Sequence, residues 1–162
     1  MKHLFSTFFF ALLLSLVSCK KTDQNLLTQM NDTVSAMHTR TEEFDLNTQG
    51  IVNFANLVDV APEALKSDTT SGFAQLHEKV TAIKIKQEGT VSEFKELLAE
   101  LQRSAEEYAA GKITTDQARS QQETLNGRLT AIEALLKHVG ELNDEAQTEY
   151  GKLMAEFRSK TE

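Results

Sequence analysis

Residues 73–108 read FAQLHEKVTAIKIKQEGTVSEFKELLAELQRSAEEY, and the spacing of their apolar positions decides the fold. Steps of three and four residues pick out Phe73, Leu76, Val80, Ile83, Gln87, Thr90, Phe94, Leu97, Leu101, Ser104 and Tyr108. An α-helix turns once every 3.6 residues, so such steps hold one face toward a neighbour along the whole length. A half-buried strand would alternate at every second residue, and no segment of the chain does so.

The same spacing recurs on both sides. Upstream it runs through Leu27, Met30, Val34, Met37, Thr41, Phe44, Thr48, Ile51, Ala55 and Val58. Downstream it runs through Ala118, Gln122, Leu125, Leu129, Ile132, Leu136, Val139, Asn143, Ala146, Tyr150, Leu153 and Phe157. Six of the seven aromatics beyond residue 18 lie on these stripes, so the stripes mark the core. Sustained heptads of this kind mean helices packed side by side.

Pro62 and the polar run Ser67 to Gly72 separate the first two stripes. Gly111 suits the residue just past a helix end, and Thr114 with Gln117 forms a capping box for the next helix. The predicted helices span approximately 22–60, 71–110 and 115–159. At 1.5 Å per residue each is ~60 Å long. Three matched helices with short connections predict an all-α fold: a coiled-coil-like bundle of three long antiparallel helices.

Gly89 tests that reading, because Thr90 to Glu93 also resembles a capping box. The stripe nevertheless keeps its phase from Ile83 to Phe94, which a turn would have no reason to preserve. A mid-helix glycine costs only ~1 kcal/mol. One continuous helix is expected.

Counting from the Gly111–Thr114 turn places Thr41, Thr90 and Leu136 near one layer at mid-height. With Gln87 beside them, Thr41 and Thr90 predict a polar layer inside the bundle. Polar core residues specify register at a cost in stability, and this explanation is favoured over a ligand pocket.

At the other end of the chain, Leu4 to Val17 is apolar apart from Ser6, Thr7 and Ser15, and follows a short basic start. A bilayer-spanning helix needs ~20 residues, so this run suits a secretory signal better than a permanent span. Leu16-Val17-Ser18-Cys19 resembles the lipobox of bacterial lipoproteins, and the Ser-Cys-Lys-Lys junction resembles small lipoproteins of the Bacteroidota. The resemblance implies a cleaved signal peptide over 1–18, lipid carried covalently by Cys19, a short tether over 19–24 and the bundle over 25–162. Cys19 is the sole cysteine, so it can form no internal disulfide. Two or more acyl chains would anchor it durably.

Lys20 stands where an aspartate signals inner-membrane retention in many lipoproteins, so the resemblance points to the outer membrane. Surface-export signals in that group are acidic just after the cysteine. Lys20-Lys21 is not, which points to the periplasmic face.

Setting residues 1–18 aside leaves 144 residues, one domain's worth. They carry 16 Lys and Arg against 24 Asp and Glu, a net charge of −8 that argues against nucleic acid as a partner. Catalytic patterns are missing. His77-Glu78-Lys79-Val80-Thr81 starts like a zinc-protease helix, but Thr81 occupies the second histidine's place. Residues three before His38, His77 and His138 are Ser35, Ala74 and Leu135, none of them the glutamate of a di-iron bundle. Met30, Met37 and His38 could suggest soft copper ligands, but at heptad spacing the methionines read as core filler. No catalytic residue, metal site or cofactor is predicted.

Asp32-Thr33-Val34 and Asp68-Thr69-Thr70 resemble the O-glycosylation sequon of the Bacteroidota, with Thr33 and Thr69 as acceptors. The expected function is a structural, spacer or protein-docking lipoprotein, held to the membrane by its lipid and engaging a protein partner or a second copy. The alternative is a periplasmic small-ligand or metal carrier, with Thr41, Gln87 and Thr90 lining its polar layer.

Overall fold

The computed structural model describes residues 22–161, so Cys19, the lipobox and half of the tether (19–21) lie outside the described residues. Helix α1 spans Gln24–Asp59, α2 spans Glu63–Ser67, α3 spans Phe73–Ala109 and α4 spans Thr115–Thr161. The three long helices form the expected all-α antiparallel bundle. The sequence reading did not foresee α2, a single turn that starts just after Pro62 and buries Leu65.

Each long helix begins and ends for a local reason. Asp23 caps α1, its side chain accepting from the Asn25 and Leu26 amides at 3.0 and 3.3 Å. Gly72 precedes α3 at φ +75°, a left-handed conformation that costs glycine little. At the far end of α3, Gly111 has φ +67°, and the Lys112 and Gly111 amides return to the carbonyls of Glu107 and Tyr108. That pair of bonds is a Schellman closure. Thr114 and Gln117 then cap α4 reciprocally, at 2.8 and 3.2 Å, as the capping box predicts. No break occurs at Gly89; α3 runs through it.

Helix α3 is the central element. Every member of its stripe, from Phe73 to Tyr108, is buried. It packs along most of the length of both α1 and α4, whereas α1 and α4 meet each other over much less. Apolar packing falls into three clusters along the rod. The base holds Leu26, Met30, Ala105, Tyr108 and Ala118. The middle is built around Met37, Phe94, Leu97, Leu101 and Ile132, with Phe44 edge-on to Phe94 at 4.9 Å between ring centres. The distal cluster gathers Val58, Leu65, Leu76, Val80, Val139 and Ala146.

At 47 residues α4 outlasts α1 and α3, which have 36 and 37. Its extra turns carry Leu153, Met154 and Phe157 onto the distal cluster, which also holds Leu65 of α2. Phe54, the one aromatic off the stripes, is buried there too and meets Tyr150 edge-on at 5.8 Å.

Candidate functional site

Between the middle and distal clusters the core turns polar. Gln87 and Thr90 are buried on α3 at this level, and Asn143 is buried further along α4, between Val139 and Ala146 of the distal cluster. The Gln87 amide donates to the Thr48 hydroxyl at 3.1 Å. Thr48 in turn donates to the Phe44 carbonyl at 2.7 Å, so this hydroxyl both gives and receives. Thr90 satisfies itself on its own helix, donating to the Lys86 carbonyl at 2.8 Å.

Thr41 lies outside this set. It is half-buried on α1 and donates to the Met37 carbonyl at 2.9 Å. Thr48, one heptad further along, is the α1 residue that Gln87 reaches. The turn at Gly111–Thr114 levels α3 against α4, but α1 is not joined there. Its height is set by side chains instead: Phe44 against Phe94, and Asp45 with Lys95 at 2.7 Å.

This polar layer opens outward into a groove of about 730 Å³ between α1 and α4. From residue 38 to residue 50 α1 has no fully buried side chain, only half-buried ones at Thr41, Phe44 and Thr48, and the two helices leave a gap here. An ion pair between Arg40 and Glu133 bridges the gap on the base side. Phe44, Ile51 and Leu136 form an apolar wall, with Leu46 on the rim 69% exposed. Gln87 and Asn143 contribute amides, and Glu43, Glu141 and Asp144 contribute carboxylates.

Asn143 stands apart from the other amides. It is only 8% exposed, and its Oδ1 has no hydrogen-bond partner in the protein. A buried acceptor left unpaired costs on the order of 1–3 kcal/mol. Sequence reasoning placed Asn143 on the third stripe and gave it no role. Its burial depends on how α1 and α4 splay, which heptad spacing does not encode. Among the described residues, no group of histidine, cysteine, aspartate and glutamate converges as metal ligands would.

A second polar knot closes the base. The Asp23 amide donates to the Tyr108 hydroxyl at 2.6 Å, and that hydroxyl lies 3.0 Å from Thr115 Oγ1. The Arg119 guanidinium reaches the Asp23 carboxylate at 3.1 Å. The Leu26 amide foremost, with Arg119, holds the Asp23 carboxyl below its ordinary pKa. This knot fastens the start of α1 to the α3–α4 turn.

The two sequon threonines differ in access. Thr33 is half-buried within α1, with its hydroxyl donated to the Gln29 carbonyl at 2.9 Å. Thr69 is exposed in the turn between α2 and α3. Beside it, Asp68 accepts from the hydroxyl and amide of Thr70 at 2.6 and 2.9 Å, which lowers its pKa.

Comparison with family models, with curated proteins and with solved structures matches none of them to this chain.

Proposed function

We propose that the chain is a lipid-anchored helical bundle that acts as a spacer and protein-docking lipoprotein on the periplasmic face of the outer membrane. The observation that carries this reading is the knot at the base. Asp23, fastened to Tyr108 and Arg119, follows Cys19 by four residues. Extended chain spans at most ~3.6 Å per residue, so the base of the bundle lies within ~14 Å of a lipid on Cys19. Helices of 36 to 47 residues then carry the α2 region and the end of α4 ~55–70 Å outward. Among the described residues no helix is long and apolar enough to cross a membrane; in this reading attachment is by lipid on Cys19.

Labelled palmitate fed to a Gram-negative host expressing the chain tests the anchor. Wild type is expected to take up label and sediment with membranes, while Cys19→Ser stays unlabelled and soluble. A labelled Cys19→Ser variant contradicts the reading. Photo-crosslinkers test the polarity of the rod: one at Thr114 should capture lipid and one at Thr69 should capture protein. The reverse pattern overturns it.

A second reading, a small-ligand carrier using the polar layer, is favoured by the α1–α4 groove, whose lining includes Gln87 and Asn143.

A further inference from the structure

Leu46 to Val58 reads LNTQGIVNFANLV, the longest stretch without a charged residue among those described. Steps of four and three residues place Leu46, Gly50, Asn53, Leu57 and Val60 on one line, and all five are exposed. The line starts at the rim of the α1–α4 groove, which Leu46 and Gly50 help to form. Of the large apolar side chains exposed among the described residues, Leu46, Leu57 and Val60 share this face at 69, 50 and 74%, while Ile85 and Leu135 stand on other helices. The face is a second heptad stripe on α1, left uncovered in the bundle. A contiguous apolar face without charge marks a protein contact rather than a solvated surface.

Charge selects the partner. With 24 Asp and Glu against 17 Lys and Arg, two copies of the chain repel over most of their surfaces. Along residues 46–58 they do not. Apolar side chains there meet their own kind at no electrostatic cost. The amides of Gln49, Asn53 and Asn56 each donate and accept, so identical amides satisfy them. A charged partner would leave its charge unmatched against this face.

We propose that two copies pair along this face, α1 against α1 and pointing the same way. The proposal rests on the lipid-anchor reading, for which it names the docking partner. Asp23 follows Cys19 by four residues, so the bases of both copies lie at one lipid surface and equal residues lie at equal heights. Leu46 then meets Leu46, and Val60 meets Val60. Midway, Asn53 meets Asn53, and an asparagine on such a seam fixes the register of a parallel pair. A contact ~20 Å long and ~10 Å wide is far smaller than the ~800 Å² per partner of a stable soluble complex. Shared anchorage supplies the difference, because it raises the effective concentration to about the millimolar range.

The test is disulfide trapping of the full-length chain in host membranes, with palmitate label read on the same samples. A disulfide needs Cα atoms within ~7 Å, so it reads register directly. Leu46→Cys and Val60→Cys should each form a dimer well above wild type, whose single cysteine is Cys19, and Ile85→Cys should not. Leu57→Glu added to Leu46→Cys should cut the dimer about tenfold or more, since it brings two carboxylates together. Dimers from Ile85→Cys as abundant as those from Leu46→Cys mean random collision and overturn the face. Dimers that form only when Leu46→Cys and Val60→Cys are co-expressed mean antiparallel pairing and overturn the register. Label without a dimer overturns the pairing and leaves the anchor. A dimer without label supports the pairing and overturns the anchor. Neither signal overturns both.

Discussion

Helices α1 and α3 carry the same heptad stripe and use it differently. Every stripe position on α3 is buried, whereas between residues 38 and 50 the α1 stripe positions Thr41, Phe44 and Thr48 are only half-buried. The cause is position in the bundle. Helix α3 lies between two neighbours and is covered from both sides, while α1 in its middle third faces α4 across a groove that the Arg40–Glu133 pair bridges. Periodicity thus tells which face of a helix is turned inward. How deeply that face is buried depends on whether a third helix closes over it.

The largest expected effect breaks the comparison at its packed side. Phe94→Ala on α3 should cost about 3–5 kcal/mol in chemical denaturation, since it empties the middle cluster and strips Phe44 of its partner. A loss near that of an ordinary surface change, about 0.5 kcal/mol, would mean α3 is not the buried helix. Next, Tyr108→Phe should cost about 1–2 kcal/mol, because the Asp23 amide loses its acceptor and the base knot opens. Asn143→Leu sharpens the comparison from the open side. It should stabilise the ligand-free protein by about 1 kcal/mol, because it removes a buried acceptor that nothing in the protein satisfies.

The smallest effect is one of pH. The carboxyl of Asp23 titrates below its unfolded value of 3.8, chiefly through the Leu26 amide. A depressed carboxyl stabilises the fold above the unfolded pKa, and this contribution disappears as pH falls through the folded one. The melting-temperature difference between wild type and Asp23→Asn should therefore stay flat above about pH 5, shrink as pH falls past 3.8 and vanish only below the folded pKa. A difference that grows on acidification would contradict the assignment.

Local signals in the sequence located the helices well. Gly111, Thr114 and Gln117 fix the α3–α4 turn through bonds between near neighbours, and such bonds are written in short motifs. The unbroken phase across Gly89 likewise gave one long α3. Helix α2 escaped notice because a single turn has no periodicity to read. The polar layer was half legible. Gln87 and Thr90 stand on the central stripe and are buried, but the level of α1 is counted from a turn that no chain segment joins to it. That count chose Thr41, whereas the Phe44–Phe94 contact selects Thr48. The groove was not legible at all. Glu43, Asp144 and Arg40 are ordinary exposed residues in sequence, and only the splay of α1 from α4 brings them to one rim.

Amide hydrogen exchange, read by mass spectrometry on the ligand-free protein, tests the difference between the two helices most directly. Local opening should be frequent where few side chains cover the backbone. Residues 42–50 of α1 should exchange orders of magnitude faster than residues 90–98 of α3. Equal, strong protection of both segments would show that α1 and α4 close on each other, and would contradict the open groove.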